Sequence, residues 1–409
     1  MKRSVRLIVV SQVVIAACLA VALSTTPFAR AKEDVERVVI APAMPVKLEI
    51  LREEPLRIKP LYDRPELVSD DELAAVLGKI IPRFSHVETK PNFVEHALRV
   101  WSIDATFSDK DAISGQEMME FLTNHATYIQ SWSKRKNAAL LEDRPVGVGV
   151  KWGRELGTSV HHDHMLACLS EAGVPLNQPV FTPFGRQMTF RDVLVESIHD
   201  FELDERETEW TALGFGLWLP PNKTWMGAEG REYSFDLLAK RLLRGELEKG
   251  VCSGTHRVYS LMVLLRLHDE YQILSDDVAK LVYRHLEHVR DLISVAQFED
   301  GHWSSDWKNG KAAVENPKAD ELKDKVIATG HHLEWLSIAP ESLHPPKETI
   351  EKAARWCIEN TVNKSDKEIL DMYTFYSHVG NALSMWRNQR PSDFWREWEA
   401  KSGTQSAQR

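Results

Sequence analysis

The composition of this 409-residue chain predicts a large globular core and excludes several classes of protein. Its net charge of −9 provides no general attraction to nucleic acid or to an anionic membrane surface. Four cysteines are too few for a disulfide-built scaffold. Thirteen tryptophans are many for this length, and they suit either a core or a cavity for flat apolar or sugar-ring ligands.

Residues 1–31 have the pattern of a secretory signal peptide. A basic start precedes an apolar run over residues 7–23, and Ala29-Arg30-Ala31 is a small-x-small cleavage signal. We therefore expect an exported protein, periplasmic or extracellular, whose mature chain is more acidic than the precursor because the signal is basic.

Two alternatives for this segment stay open. The residues Ile15-Ala16-Ala17-Cys18 resemble a bacterial lipobox, which would make Cys18 a lipidated N-terminus. The apolar run is also just long enough to remain as an uncleaved anchor. Under all three interpretations the folded part lies outside the cytoplasm, and any membrane contact is made through the N-terminal segment alone.

The rest of the chain is predicted to form an extended arm, one domain and a short tail. Residues 32–68 are rich in proline and charge, which is typical of a tether or a wrapping arm. Helical patterning starts at Ser69 and continues to about residue 400, without a linker that would divide it. Residues 401–409 are small and polar, and we expect them to be disordered.

The pattern over 69–400 predicts about a dozen helices and few strands, and hence an all-α fold. Ser69 with Glu72, and Ser114 with Glu117, are capping boxes. The best strand candidate is "VGVGV" at 146–150, which suits a small hairpin.

Three architectures are compatible with many helices in one domain: a toroid of paired helices, a solenoid or an irregular bundle. Residues 259–267 are apolar almost all round, as in an inner helix of a toroid. The helix predicted at 276–297 has one apolar stripe that includes Leu281, as in an outer helix. This alternation favours an α/α toroid with a central cavity and an extended N-terminal arm.

The stretch "VHHDHMLACL" at 160–169 is the first candidate for chemistry. Treated as a helix, it places His161, His164 and Cys168 on one face at i, i+3 and i+7, which suits two or three zinc ligands. His161 and His162 would turn inward as acid–base groups, and Asp163 would face solvent. The alternative is a hydrogen-bonded, purely structural histidine pair.

The segment 250–256 carries the second candidate. Cys252 and His256 are four residues apart at a predicted helix start, which allows a thiolate–imidazole pair or two metal ligands. The alternative is structural, with Ser253 as the helix cap, Gly254 permitting close packing and Cys252 as a small buried residue.

Residues 292–303, "LISVAQFEDGHW", resemble the QW repeat of the terpenoid cyclases. We expect Gln297 to bond the backbone at a helix end, Gly301 to supply the turn, and Trp303 to stack over the joint. The related protein prenyltransferases share the α/α toroid and similar turns, so the resemblance implies that fold. The reaction does not carry over, because the Asp-x-Asp-Asp, Asp-Asp-x-x-Asp and Asp-x-Cys motifs of these enzymes do not occur in this chain.

Residues 328–336, "ATGHHLEWL", resemble a motif of the N-acylglucosamine 2-epimerase family, which also has an α/α barrel. The resemblance implies that His331 transfers protons and that Glu334 is its partner or a hydroxyl ligand. Independently, Glu209 and Glu334 each precede a tryptophan, and two carboxylates facing one cavity suit acid–base chemistry on a glycoside. The alternative is a helix-boundary acid beside a core tryptophan.

Three functions are compatible with these patterns. The first is an enzyme that uses His and Glu acid–base chemistry on a carbohydrate or another cell-envelope molecule. The second is a cyclase- or prenyltransferase-like protein for an apolar substrate, with or without zinc. The third is a non-catalytic binding or scaffold protein. The candidate catalytic residues are His331, Glu334, His161, His162 and His256, and the candidate metal ligands are Cys252, His256, His161 and His164.

Overall fold

A computed structural model describes residues 49–407 except 133–138, 206 and 246–249, with side chains described up to Lys401. The described residues belong to one compact unit. The predicted signal peptide at 1–31, with its lipidation and anchor alternatives, and the first part of the predicted arm, 32–48, lie outside the described residues. Within the described residues, no helix combines the length and the hydrophobicity needed to cross a membrane.

The described part of the chain contains sixteen α-helices, which confirms the predicted all-α class. They are α1 Asp70–Lys79, α2 Pro91–Trp101, α3 Gly115–Thr123, α4 His125–Ser131, α5 His164–Glu171, α6 Phe190–Asp200, α7 Glu209–Trp218, α8 Phe235–Arg244, α9 Thr255–Tyr271, α10 Asp276–Ala296, α11 Lys311–Glu315, α12 Leu322–Ile338, α13 Lys347–Val362, α14 Asp366–Asp371, α15 Tyr373–Trp386 and α16 Pro391–Ala407. Short 3₁₀ turns lie at Val251–Gly254, Trp307–Asn309 and Glu341–Leu343.

Three small antiparallel hairpins lie between the helices. They pair β1 Leu141–Asp143 with β2 Val148–Val150, β3 Pro179–Phe181 with β4 Gln187–Thr189, and β5 Thr224–Met226 with β6 Glu232–Ser234. The strand expected at 146–150 supplies β2, in the register that opposes Leu141 and Val150. The hairpins are too short to change the helical character of the fold.

Six helices contact one another in a cyclic order. Helix α2 packs on α5, α5 on α7, α7 on α9, α9 on α12, α12 on α15, and α15 again on α2. We call these six the inner helices. They are buried on nearly every side; in α9 all residues from Thr255 to Leu265 are buried. A helix that is buried on nearly every side needs apolar residues all around it. The run at 259–267 has that composition.

Other helices pack on the inner six with one face only. Helix α3 packs on α2, α10 on α9, and α13 on α12 and α15. The buried stripe of α10 contains Val278, Val282, Leu286, Val289 and Ile293. Leu281, expected in that stripe, is 43% exposed instead. Val278 and Val282, four residues apart, lie on the buried face of the helix. Leu281 precedes Val282 by one residue and therefore points about 100° away from it, toward solvent.

An extended segment at 53–64, which we call the strap, crosses the carboxyl ends of the inner helices. The amide of Leu56 donates to the carbonyl of Leu217 at the end of α7, 2.9 Å away. The amide of Arg64 donates to the carbonyl of Trp386 at the end of α15, also 2.9 Å away. These bonds satisfy carbonyls that a helix end leaves without an intrahelical partner.

The two capping boxes predicted from the sequence are present at the starts of helices. Ser69 and Ser114 each close a capping box with the glutamate three residues later, at the starts of α1 and α3. The last helix differs from expectation, because α16 continues to Ala407, past the predicted limit at residue 400. Its small polar residues can extend a helix that is already nucleated upstream.

The corner after α10 has the geometry expected for it. The side-chain amide of Gln297 donates to the carbonyls of Gly301 and Thr349, at 3.0 and 2.7 Å. Gly301 has a φ of +105°, and an added Cβ would lie 2.4 Å from the carbonyl oxygen of Lys352. The indole of Trp303 is fully buried and donates to the carbonyl of Ile293, 2.8 Å away. The corner therefore joins α10 to the chain that follows by side-chain bonds to helix-end backbone.

Candidate functional site

Each of the six inner helices contributes one aromatic side chain to a closed layer at the centre of the cycle. We call this the histidine layer, although one member is a tryptophan; it contains His96, His164, Trp210, His256, His331 and His378. Ring centroids are 4.6 Å apart for His96 and His164, 4.3 Å for His164 and Trp210, 4.1 Å for Trp210 and His256, 4.1 Å for His256 and His331, 3.8 Å for His331 and His378, and 5.1 Å for His378 and His96. All six side chains are buried.

Glu334 lies one helical turn beyond His331 and is the acceptor around which one side of the layer is organised. Its carboxylate accepts from Nδ1 of His331 at 2.5 Å, from Arg99 at 2.9 Å and from Asn381 at 2.6 Å. Nδ1 of His378 lies 3.3 Å from both carboxylate oxygens. Burial alone would raise the pKa of Glu334, but the charge of Arg99 and the hydrogen bond from His331 hold it well below its usual range. Glu334 is therefore a buried carboxylate.

Arg99 joins this carboxylate to a second one. Its guanidinium donates to Glu171 at 2.5 Å as well as to Glu334, and Glu171 also accepts from the hydroxyl of Tyr259 at 2.7 Å. The two carboxylates outweigh the effect of burial and raise the pKa of Arg99 well above its ordinary value. Pairing and hydrogen bonding make these buried charges tolerable.

A second buried network lies on the other side of the layer. Glu95 contacts Nδ1 of His164 and accepts from the hydroxyl of Ser159 at 3.1 Å. Nε2 of His164 lies 3.5 Å from the thiol of Cys168, one turn along α5. Burial raises the pKa of Glu95 to about 8, so its carboxyl is largely protonated at neutral pH. Burial also raises the pKa of the Cys168 thiol, so this cysteine is not a ready nucleophile.

The histidines of the layer are held in their neutral form. Burial lowers the pKa of His96, His164, His256, His331 and His378, and the neighbouring imidazoles lower it further for His256 and His378. A neutral imidazole is a base and a metal ligand.

Two overlapping groups in this region have the spacing of metal ligands. The ligand atoms of Cys252, His256 and His331 all lie within 4.8 Å of one another, and so do those of His331, Glu334 and His378. The first group combines a thiol with two imidazoles, which is a donor set that zinc accepts.

An open pocket of about 800 Å³ lies at the amino ends of α2, α5 and α7. Its wall contains two imidazole–carboxylate pairs: Nδ1 of His161 is 2.5 Å from Glu207, and Nδ1 of His162 is 3.1 Å from Glu205. The indole of Trp152 also lines the pocket and is 52% exposed. The pocket thus offers polar groups and an aromatic face to a ligand.

His162 is a cation in this environment. Burial alone would lower its pKa, but the negative charges of Asp163 and Glu205 raise it to about 10. Asp200, in a smaller pocket beside His162, has its pKa raised to about 7 by burial and by the charge of Asp163. The open pocket therefore contains an imidazolium at neutral pH, and the smaller pocket beside it contains a carboxyl group that titrates near neutrality.

A second cavity, of about 440 Å³, lies at the opposite ends of the inner helices. The strap forms one side of it through Arg57 and Lys59, and Arg99, Glu171 and Tyr259 form another. The Arg99 network is thus reached from the strap side, and His161 and His162 are reached from the other side.

The structure brings together only part of the predicted site. His331 and His256 lie in the histidine layer, and Glu334 and Cys252 lie next to them. His161 and His162 line the open pocket instead, and the indole of Trp210 separates His164 from His256. The proposed metal set of Cys252, His256, His161 and His164 is therefore divided, with two of its members on each side of the tryptophan.

The interpretation of 160–164 as one continuous helix is wrong. Asp163 has a left-handed backbone with a φ of 53°, and α5 begins only at His164. Asp163 consequently turns inward, where it accepts hydrogen bonds from Ser197 at 2.7 Å and Thr211 at 2.6 Å, rather than facing solvent. His164 is fully buried at the start of α5.

Several residues of the site were missed by the sequence analysis: Glu95, His96, Arg99 and His378. Glu95, His96 and Arg99 lie at i, i+1 and i+4 in α2, on the face opposite the apolar stripe, which resembles a solvated face. His378 is a lone histidine in an apolar helix. The sequence signal for His378 was its resemblance to the two histidines of α12, which also lie in an apolar helix.

Comparisons with known proteins returned no match: no family model, no curated protein and no solved structure resembles the chain significantly.

Proposed function

We propose that this protein is an exported enzyme that acts by histidine and glutamate acid–base chemistry on a carbohydrate or a related cell-envelope molecule. The observation that carries the proposal is the pair of imidazole–carboxylate contacts, His161 with Glu207 and His162 with Glu205, in the wall of one open pocket. General acid–base catalysis needs such groups within reach of a bound substrate. The pocket volume of about 800 Å³ suits a small oligosaccharide.

Each histidine has its own role in this proposal. The tautomer of His161 that donates Nδ1–H to Glu207 carries its lone pair on Nε2, which is the arrangement of a general base. His162 stays protonated up to a pH near its pKa of about 10, so it acts as a fixed positive hydrogen-bond donor to an oxygen that gains charge.

The other lining residues favour a sugar over an apolar chain. The exposed face of Trp152 suits stacking on a sugar ring, and Lys90 and Arg154 are cations that suit a carboxylate-bearing sugar. The centre of the inner helices is occupied by buried histidine and carboxylate side chains, so it presents little apolar surface to an isoprenoid chain. The cyclase- or prenyltransferase-like alternative is therefore less well supported, and a non-catalytic scaffold is the outcome if no substrate is turned over.

The architecture we propose is an α/α toroid, with the inner helices around the centre and α3, α8, α10 and α13 among the outer ones. The cyclic order of helix contacts and the contrast between buried inner and one-faced outer helices support it. In this arrangement His331, Glu334 and His256 support the centre, and His161 and His162 are the groups that meet the substrate.

Turnover of defined glycans by the purified full chain tests the function. The panel contains oligouronates, chito-oligosaccharides and cello-oligosaccharides, followed by mass spectrometry. We expect His161→Gln to lower kcat by about 10²–10⁴-fold and Trp152→Ala to raise KM instead. His288→Gln, an exposed histidine on α10, is the matched control and should keep the wild-type rate. A panel without turnover, or full activity in His161→Gln, would reject the proposal.

A further inference from the structure

The segment that precedes α9 has an unusual backbone. Four of its five residues, Gly250, Cys252, Ser253 and Gly254, have positive φ angles of 68°, 48°, 61° and 84°. Two of the four are not glycine, and a left-handed backbone is costly for such residues unless the surroundings impose it. Conformations of this kind are concentrated at functional sites, where the strain serves to place a side chain.

Contacts around the segment hold this conformation. The hydroxyl of Thr255 donates to the carbonyl of Cys252 at 2.7 Å, and the buried indole of Trp307 donates to the carbonyl of Ser253 at 3.1 Å. The result is that the thiol of Cys252 faces two histidines of the histidine layer. Its ligand atom and those of His256 and His331 all lie within 4.8 Å of one another.

The imidazoles on this side of the layer each have one nitrogen without a hydrogen-bond partner among the described residues. These are Nε2 of His256, His331 and His378, and all three atoms are buried. A buried polar atom without a partner is costly, and three in adjacent rings need a common explanation. A cation that accepts the lone pairs of His256 and His331 would satisfy two of the three at once.

The contacts behind the rings match the support that metal-binding histidines receive. Nδ1 of His331 donates to Glu334 at 2.5 Å, which directs its Nε2 away from the carboxylate. Glu334 is itself fixed by Arg99 and Asn381. In zinc sites, a histidine that binds the metal through one ring nitrogen usually donates a hydrogen bond from the other to a carboxylate or a similar acceptor.

We propose that Cys252, His256 and His331 bind a zinc ion at the centre of the inner helices. His378 lies beside this group, with its ring centroid 3.8 Å from that of His331 and 5.5 Å from that of His256. Binding replaces the thiol proton of Cys252 with the metal and releases that proton to solvent. The side chain of Cys252 is only half-buried, so the metal and the proton have a route.

This proposal does not rest on the proposed function. The residues that line the open pocket include His161 and His162, whereas the metal ligands lie beyond Trp210. Zinc can be present in a protein without glycan turnover, and glycan turnover can occur without zinc. The two proposals therefore fail separately.

Metal analysis and cobalt spectroscopy of the full chain test the site. We expect about one zinc per chain after purification and dialysis, measured by mass spectrometry of the metal. Cobalt added to the chelator-treated protein should give intense tetrahedral d–d bands in the visible and a thiolate-to-cobalt charge-transfer band in the near ultraviolet. Cys252→Ser should abolish the charge-transfer band and weaken zinc binding by about 100-fold or more.

The controls use the two buried cysteines and a conservative change at Glu334. Cys168→Ser and Cys357→Ser remove thiols that lie outside the group and should leave both the band and the stoichiometry unchanged. Glu334→Gln should weaken zinc binding by about 10–100-fold while keeping the charge-transfer band. A wild-type chain that binds no zinc, or a Cys252→Ser chain that is folded by circular dichroism and keeps the band, would overturn the proposal. If Cys252→Ser does not fold, loss of the band on alkylating Cys252 in the folded wild type decides in its favour, and its retention decides against it.

Discussion

Nδ1 of His331 lies 2.5 Å from the carboxylate of Glu334, and the same carboxylate lies 2.9 Å from the guanidinium of Arg99. One residue thus orients an imidazole of the histidine layer and balances a buried cation. Arg99 is on α2, and His331 and Glu334 are on α12. The contact between Arg99 and Glu334 therefore joins two inner helices through residues that are 235 positions apart in the sequence.

Replacing Glu334 by glutamine should destabilise the protein by about 3–5 kcal/mol, because Arg99 would lose one of its two buried counter-charges. Urea unfolding followed by circular dichroism measures the change. Glu341→Gln is the matched control, since its carboxylate is 73% exposed and pairs with Arg64 at the surface; it should shift stability by no more than about 1 kcal/mol. Equal midpoints for the two variants would show that Glu334 is not the counter-charge.

Glu95 should make the protein less stable as pH rises. Its pKa is about 8 in the folded protein against 4.5 for the free group, so the folded state binds more protons between these values. Stability from this group is complete below pH 4.5 and declines as pH rises toward 8. Glu95→Gln removes the titrating group. The free energy of unfolding of the variant should therefore rise relative to that of the wild type by up to about 1.4 kcal/mol per pH unit between pH 4.5 and 8.

Unfolding free energies at several pH values measure this effect. Glu299→Gln, at an exposed position, is the control for replacing a surface carboxyl by an amide. A Glu95→Gln difference that is constant with pH would contradict the raised pKa of Glu95.

His162 should titrate far above an ordinary histidine, with an NMR midpoint near pH 10. Its folded pKa exceeds the ordinary histidine value of 6.5, so its stabilising effect is complete below pH 6.5 and is lost as pH rises through 10. Glu205→Gln removes one of the two main negative charges and should lower the midpoint, while Glu299→Gln should not move it. A wild-type midpoint near 6.5 would mean that burial outweighs the carboxylates.

Gly301 and Gly230 provide a matched pair for the corner after α10. Both have positive φ, but a Cβ on Gly301 would meet the backbone of Lys352 at 2.4 Å, and one on Gly230 has no neighbour within 4 Å. Gly230→Ala should cost about 1 kcal/mol for its backbone alone. Gly301→Ala should cost at least about 2 kcal/mol more, because the backbone must also move. Thermal unfolding compares them, and similar losses would remove the packing argument.

Features that depend on neighbouring residues could be predicted from the sequence. The capping boxes at Ser69 and Ser114, and the bonds of Gln297 and Trp303 at the corner, involve groups within about ten residues or a helix end. The buried character of α9 also follows from its own composition.

The centre of the fold could not be predicted in the same way. Arg99 resembles a residue on a solvated helix face until α12 and α15 place Glu334 and His378 against it. Helical spacing predicts that His161 and His162 turn inward, but Asp163 has a left-handed backbone and the helix begins only after it, so both histidines line the open pocket. Local periodicity carries no information about partners hundreds of residues away, or about where a helix is interrupted by a single backbone angle.

The strap determines when this protein can finish folding. Asp63 pairs with Arg387 across 324 residues, so the strap is synthesised long before the helix ends that it crosses. Loop closure over such a distance is slow, and docking must wait for α15. We expect the strap to be the last element to gain protection from hydrogen exchange during refolding. Until then the carboxyl ends of the inner helices stay accessible to chaperones and proteases.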